Sequence, residues 1–184
     1  MTDLASVIDK LVAIDGEVRE RFGNLSVAQL NWRPAEDSWS VAQCLEHLVL
    51  TNKMFFRELD SMIENGRPNT FWENWSPLTG IFTKLYFWYI RNDRTKVKAP
   101  TDKIIPASDV APDIVARFSE SQSQFIEKVN NIGDEKASKS VLSSPFLKLV
   151  TYKFCDGILI LAEHERRHIR QALRVMETEG FPEA

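Results

Sequence analysis

No run of apolar residues in this 184-residue chain approaches the ~20 needed to cross a bilayer as a helix, so no membrane-spanning segment is expected. An excess of basic charge is missing too. The chain carries 23 Lys and Arg against 26 Asp and Glu, for a net charge of -3 and a pI near 5.7. Its cations are scattered among acids, which leaves no positive field to grip a phosphate backbone, and nucleic acid is not an expected partner. Cysteine is scarce. Cys44 and Cys155 are the two present, and no CxxC pair, glycine-rich phosphate loop or Ser-His-Asp order occurs, so those chemistries have no support. The start, Met1-Thr2-Asp3-Leu4, lacks the basic-then-apolar profile of a secretory signal. A cytoplasmic protein with free, buried thiols is expected in preference to a disulfide-bonded one. Hydrophobic residues at 43% and charged residues at 27% are ordinary for a folded chain and exclude disordered and collagen-like classes. The length predicts one domain over residues 1–184.

Helical periodicity dominates what is present. Leu4, Val7, Ile8, Leu11, Val12, Ile14 and Val18 predict a first helix over about 3–22, stopped by Gly23-Asn24. Ser26 to Gln29 forms a capping-box pattern for a short helix that ends before Pro34. Ser40 and Gln43 repeat that pattern and start a second long helix to about residue 64. Residues 69–107 are crowded with aromatics and broken by Pro77 and Gly80; a short helix at about 78–90 and a loop over 96–107 are expected. Ile114, Val115, Phe118, Phe125, Ile126 and Val129 predict a third long helix after Ser108-Asp109, reaching about Asn131. A connection over 134–149 precedes a fourth, over about 151–178. Four long helices with long connections fit an all-α four-helix bundle with crossover loops, and no strand pattern competes.

The three histidines carry the functional signal. His164 and His168 are four residues apart in a strongly helical segment, so their rings stack on one face a turn apart, a spacing that suits two imidazoles on one metal ion. With His164 as the centre of that face, Gly157, Ile160, Leu161, His168, Gln171 and Val175 fall beside it, while Glu163, Arg166, Arg170 and Arg174 point away. His47 shares a face of the second long helix with Ser40, Gln43, Cys44, Thr51 and Met54 and is predicted to point inward. Facing helices of a bundle supply metal ligands from its interior, so the three can meet on one divalent ion. Three neutral nitrogen ligands leave a position open for water or substrate, as in catalytic sites. The pattern is not HExxH: Glu165 directly follows His164 and turns about 100° off the ligand face, which disfavours a zincin-type protease. The bland alternative is that inward histidines are simply hydrogen-bonded core residues.

Leu30-Asn31-Trp32-Arg33-Pro34, then Ser38-Trp39-Ser40-Val41-Ala42-Gln43-Cys44-Leu45-Glu46-His47-Leu48, and finally Leu161 to Gln171 with its HxxxH, together resemble the DinB/YfiT-like superfamily over nearly the whole chain. The resemblance implies up-down-down-up connectivity in the bundle. It also implies a three-histidine site for zinc, nickel or a similar ion at His47, His164 and His168, and frequently a homodimer. Relatives include transferases and isomerases that use bacillithiol, mycothiol or glutathione, and members labelled as metal-dependent hydrolases. The aromatic connection at 69–90 departs from the shorter linkers of the simplest members.

Two further residues are candidates at the site. Gln171, three residues past His168, can contact a ligand histidine or the substrate, or can close the end of the core. Cys44, one turn before His47, can be a further ligand or a small buried residue. Trp72, Trp75 and Trp88 can wall a pocket, bury a dimer face or cover the bundle. Three functions follow: a metal-dependent S-transferase that activates a low-molecular-weight thiol, a hydrolase that activates water at the same position, and a non-catalytic stress-response protein with a structural metal. No separate general base lies on the ligand face, which places the transferase first, with a small-molecule substrate as its partner.

Overall fold

Residues 3–65, 101–146 and 150–183 are described by the computed structural model, which is mostly helical. The expected helix at 78–90, most of the aromatic segment and the first part of the 96–107 loop lie outside those residues. Among the described residues four long helices set the frame: α1 (Leu4–Phe22), α3 (Val41–Asn65), α4 (Ile114–Ile132) and α6 (Phe154–Met176). Two short ones, α2 (Val27–Asn31) and α5 (Asp134–Lys139), lie in the connections.

Local chemistry explains most of the boundaries. The Asp3 carboxylate accepts the amide of Ser6 at 2.7 Å and starts α1. Both expected capping boxes form: Ser26 with Gln29 at α2, and Ser40 with Gln43 at α3. Helix α4 begins at Ile114, later than Ser108-Asp109 suggested, because both backbone groups of Val110 are bonded to the Asn31 side chain. It ends at Gly133, whose φ of 73° lies in the region that favours glycine. Thr101 caps a single 3₁₀ turn, Asp102–Ile104, inside the expected loop.

The connection after α4 is more ordered than expected. Helix α5 places Asp134 and Glu135 in its first turn and Lys136 and Lys139 in its last, complementing its dipole. Val141–Ser143 (β1) and Thr151–Lys153 (β2) then pair antiparallel, with Leu142 opposite Tyr152. This corrects the reading that the chain has no strands and that its last helix starts at 151. Valine, threonine and tyrosine favour the extended form here, and three residues are too few to show a period. The ladder packs on α6 at Gly157. A Cβ there would lie 2.9 Å from Leu142 Cδ2 and 3.2 Å from Tyr152 Cβ.

The long helices share one core. Phe22, Phe118, Phe125 and Phe154 are fully buried within it, together with Leu11, Ile14, Leu45, Leu48, Leu59 and Ile114. Each such side chain contributes about 1.5–3 kcal/mol over an exposed one. Side-chain pairings fix directions. Glu46 meets Arg117, Asn52 meets Gln122 and Asp60 meets Lys128, so α3 and α4 run parallel. His47 approaches His164 while Cys44 feels the charge of Arg174, so α3 and α6 run antiparallel. Asp3 acts on Cys155 and Asp15 on Glu165, so α1 and α6 run parallel.

A polar layer crosses the middle of this core. Asn52 Nδ2 donates to Gln122 Oε1 at 3.0 Å, and Gln122 Nε2 donates to Glu165 Oε2 at 2.9 Å and to the Leu11 carbonyl at 3.3 Å. All four long helices meet in it. Hydrogen-bond partners that meet only in one alignment penalise helix sliding, so the layer fixes the relative heights of the helices and hence of the histidines beside it.

Candidate metal centre

His47 is 3% exposed on α3, and His164 and His168 are half-buried on α6. One nitrogen from each lies within 4.8 Å of those of the other two. The Nε2 atoms of His47 and His164 are 3.4 Å apart. Two nitrogens bound about 2.0–2.1 Å from one tetrahedral ion are separated by roughly that distance. The ring centroids of His47 and His168 are 4.5 Å apart, and those of His164 and His168 4.6 Å. Among the described residues this is the group of histidine, cysteine and carboxylate side chains that could hold a metal ion.

Protonation favours the same use. Burial lowers the His47 pKa, partly offset by its bond to the Ile104 carbonyl. His164 is lowered to about 3 by burial and then by the neighbouring His47 and Arg167, and His168 falls well below its ordinary value by burial and the two other histidines. All three rings are therefore neutral near pH 7, the form that offers a lone pair to a metal. Their other nitrogens are oriented unequally. His47 Nδ1 donates to the Ile104 carbonyl at 2.7 Å, and His168 Nδ1 is 3.0 Å from Gln171 Oε1. A carbonyl oxygen only accepts, so each of these two rings carries its proton on Nδ1 and leaves Nε2 bare. His164 Nδ1 is buried without a hydrogen-bond partner among the described residues. The three-histidine donor set, with Nε2 bare on His47 and His168, could hold a metal ion.

Gln171 thus touches His168 directly. Cys44 does not join the metal-capable group: it is fully buried in the core, and burial pushes its thiol up to about 12. A thiol so hard to ionise is a poor ligand and suits a small core residue.

The inward face of α6 is rotated from the one expected. Its buried strip contains Gly157, Ile160, Leu161 and Val175 of the expected face together with Phe154, Ile158, Ala162, Glu165, Ile169 and Ala172, and His164, His168 and Gln171 lie half-buried along one edge of it. The expected face therefore holds at Gly157, Ile160, Leu161 and Val175, while its centre is corrected away from His164 by less than the 100° step of one residue. Edge placement leaves the histidines within reach from outside the core, which a ligand exchanging at the ion requires. The same rotation buries Glu165 completely. Burial raises its pKa to about 8, against the lowering effect of its bonds to Gln122 and Asn52. That carboxyl faces the polar layer.

Two contributors went unrecognised in the sequence. Trp39 stacks on His168 with ring centroids 5.7 Å apart and lies 5.1 Å from the His47 ring, covering one side of the pair. Its position immediately before the capping serine of α3 was a usable signal. The Ile104 carbonyl had none, because any residue supplies a backbone oxygen and this one is remote in sequence from His47.

A family model of the DinB superfamily matches residues 11–172, a span that contains all three histidines. No curated protein and no solved structure matches the chain. With the family model covering most of its length, this chain belongs to the DinB superfamily.

Proposed function

We propose that this protein is a metal-dependent thiol S-transferase in which His47, His164 and His168 hold one divalent ion, zinc or nickel, and a low-molecular-weight thiol occupies the open position. The observation that carries the reading is the convergence of three neutral imidazoles with no carboxylate base beside them among the described residues. Glu165 is turned into the core and hydrogen-bonded to Gln122. Glu46, on the other flank of His47, is held by Arg117 at 2.7 Å. With an ion held by the three histidines, a nucleophile there would be ionised by the ion itself, and a thiol would ionise more readily than water. The ion, when bound, supplies the charge that lowers the thiol pKa towards neutrality.

The chain's own residues orient and shield. Gln171 Oε1 and the Ile104 carbonyl accept hydrogen bonds from the Nδ1–H groups of His168 and His47, which leaves both Nε2 atoms bare for the ion. Trp39 covers their outer side and excludes water there. The frame is an up-down-down-up four-helix bundle over one domain, a reading supported by the parallel pairing of α3 with α4 and of α1 with α6. We further propose a cytoplasmic homodimer acting on a small molecule, with neither nucleic acid nor membrane as partner. No helix among the described residues is long and apolar enough to cross a membrane.

Cobalt-loaded protein tests the activity. Adding a thiol should produce a sulfur-to-metal charge-transfer band, absent from the histidine variants, and should speed transfer to an electrophile over the free thiol. Cys44→Ser should leave the band unchanged, since the sulfur belongs to the added thiol. Turnover in buffer without thiol would instead establish a hydrolase. No turnover, with a large stability loss on chelation, would establish a structural metal.

A further inference from the structure

Residues 101–110 form a strap along the first turns of α3, and side chains from the segment before and within that helix grip it at three points. His47 Nδ1 donates to the Ile104 carbonyl at 2.7 Å, and Gln43 Nε2 donates to the Ala107 carbonyl at 2.9 Å. Asn31 then bonds both backbone groups of Val110, each at 3.0 Å. Gln43 and His47 are one turn apart on the same face, so the strap runs opposite in direction to the helix that holds it. Between the two grips lies Pro106, buried and with its φ fixed by the ring. Ile105 before it is extended, at φ -80° and ψ 122°, the conformation a following proline favours. A stiff link of this kind transmits the position of Ala107 to Ile104.

Gln43 is itself buried and uses both ends of its amide. Its Oε1 accepts the amide of Ser40 at 3.1 Å in the capping box, while its Nε2 is the donor to the strap. The cap alone would need only the oxygen. We propose that Gln43 is a positioning residue for the histidine centre: by holding the Ala107 carbonyl it sets the strap so that the Ile104 carbonyl fixes His47 as its Nδ1–H tautomer, with Nε2 turned toward His164 and His168. The inference deepens the proposed metal site and rests on that reading for its effect on affinity, although its effect on the tautomer does not need the ion. Removing an outer partner of a metal-ligating histidine weakens binding about 10–100-fold.

Long-range ¹H–¹⁵N NMR of the metal-free full-length protein reads the tautomer directly, and titration with Zn²⁺ alone reads affinity. In the wild type, His47 should be the Nδ1–H form. Gln43→Met should divide His47 between tautomers and weaken Zn²⁺ binding about tenfold. Ser40→Ala removes the other half of the capping box but keeps the strap donor, and should retain the wild-type tautomer and affinity. A Gln43→Met protein with His47 and affinity unchanged, even at lower thermal stability, overturns the proposal, because a cap alone predicts that result. Equal shifts in Ser40→Ala overturn it as well. Should Gln43→Met lose its helical content, Gln43→Asn decides by the same two readouts, its amide falling short of Ala107. A wild type that takes up no Zn²⁺ refutes the metal reading, while the tautomer comparison still decides the role of Gln43.

Discussion

Burial keeps the three imidazoles neutral, and the linkage between protonation and folding follows from it. Each histidine is lowered in the folded chain from an ordinary value of 6.5, His164 to about 3. Below pH 6.5 the unfolded chain therefore binds protons that the folded chain refuses, and the metal-free protein should lose stability as pH falls through that window. Glu165 acts in the opposite sense. Its pKa rises from 4.5 to about 8, so its contribution is complete below 4.5 and is lost as pH rises through 8. Urea midpoints should accordingly decline on both sides of an optimum near neutrality, and Glu165→Gln should remove the alkaline decline. An alkaline decline of the same size in that variant would assign it to another group. Gln171 is the second residue whose role is measurable. Gln171→Ala should weaken Zn²⁺ binding about tenfold while leaving the far-UV spectrum unchanged, since Gln171 Oε1 accepts the outer hydrogen bond of His168. Affinity equal to that of the wild type would leave Gln171 as a residue that merely closes the end of the core.

The helices and strands differ in how far local chemistry reveals them. The capping boxes at Ser26 and Ser40 were readable because the pattern and its hydrogen bonds both span three residues. The periodicity of α1, α3 and α4 was equally direct, with 3.6-residue repeats over several turns. On α6 the repeat was visible, but its centre was not, because histidines and a glutamate interrupt the apolar run and Glu165 is buried through Gln122, a residue from another helix. The β1–β2 ladder escaped because its stabilising partner is Gly157, where the absence of a side chain lets Leu142 and Tyr152 lie against α6. That contact makes a specific demand. Gly157→Val should destabilise the protein by about 1–3 kcal/mol through overpacking, with little change in the denaturant slope. A variant as stable as the wild type in urea would mean that the ladder shifts away freely and does not depend on the close approach.

At the scale of the whole molecule, the polar layer and the metal centre are stacked features of one core. Asn52, Gln122 and Glu165 set the heights of α3, α4 and α6; because α3 and α6 run antiparallel, His47, five residues before Asn52, and His168, three residues after Glu165, lie on the same side of the layer, with His164 beside Glu165 at its level. The convergence of the histidines thus depends on the alignment of the entire frame, which is why their spacing in sequence indicated a site on α6 but not how closely His47 would approach it. Association is the other property at this scale. The density of aromatics at 69–90 predicts a homodimer, and light scattering at micromolar concentration should give twice the chain mass; the mass of a single chain would remove that expectation. The most direct test of the account is elemental analysis of full-length protein purified without a histidine tag, beside His47→Ala, His164→Ala and His168→Ala. One equivalent of a divalent transition metal per chain is expected in the wild type, and a steep loss in each variant with helical content retained. Metal-free wild type that also fails to take up Zn²⁺, or full occupancy in any one variant, would contradict it.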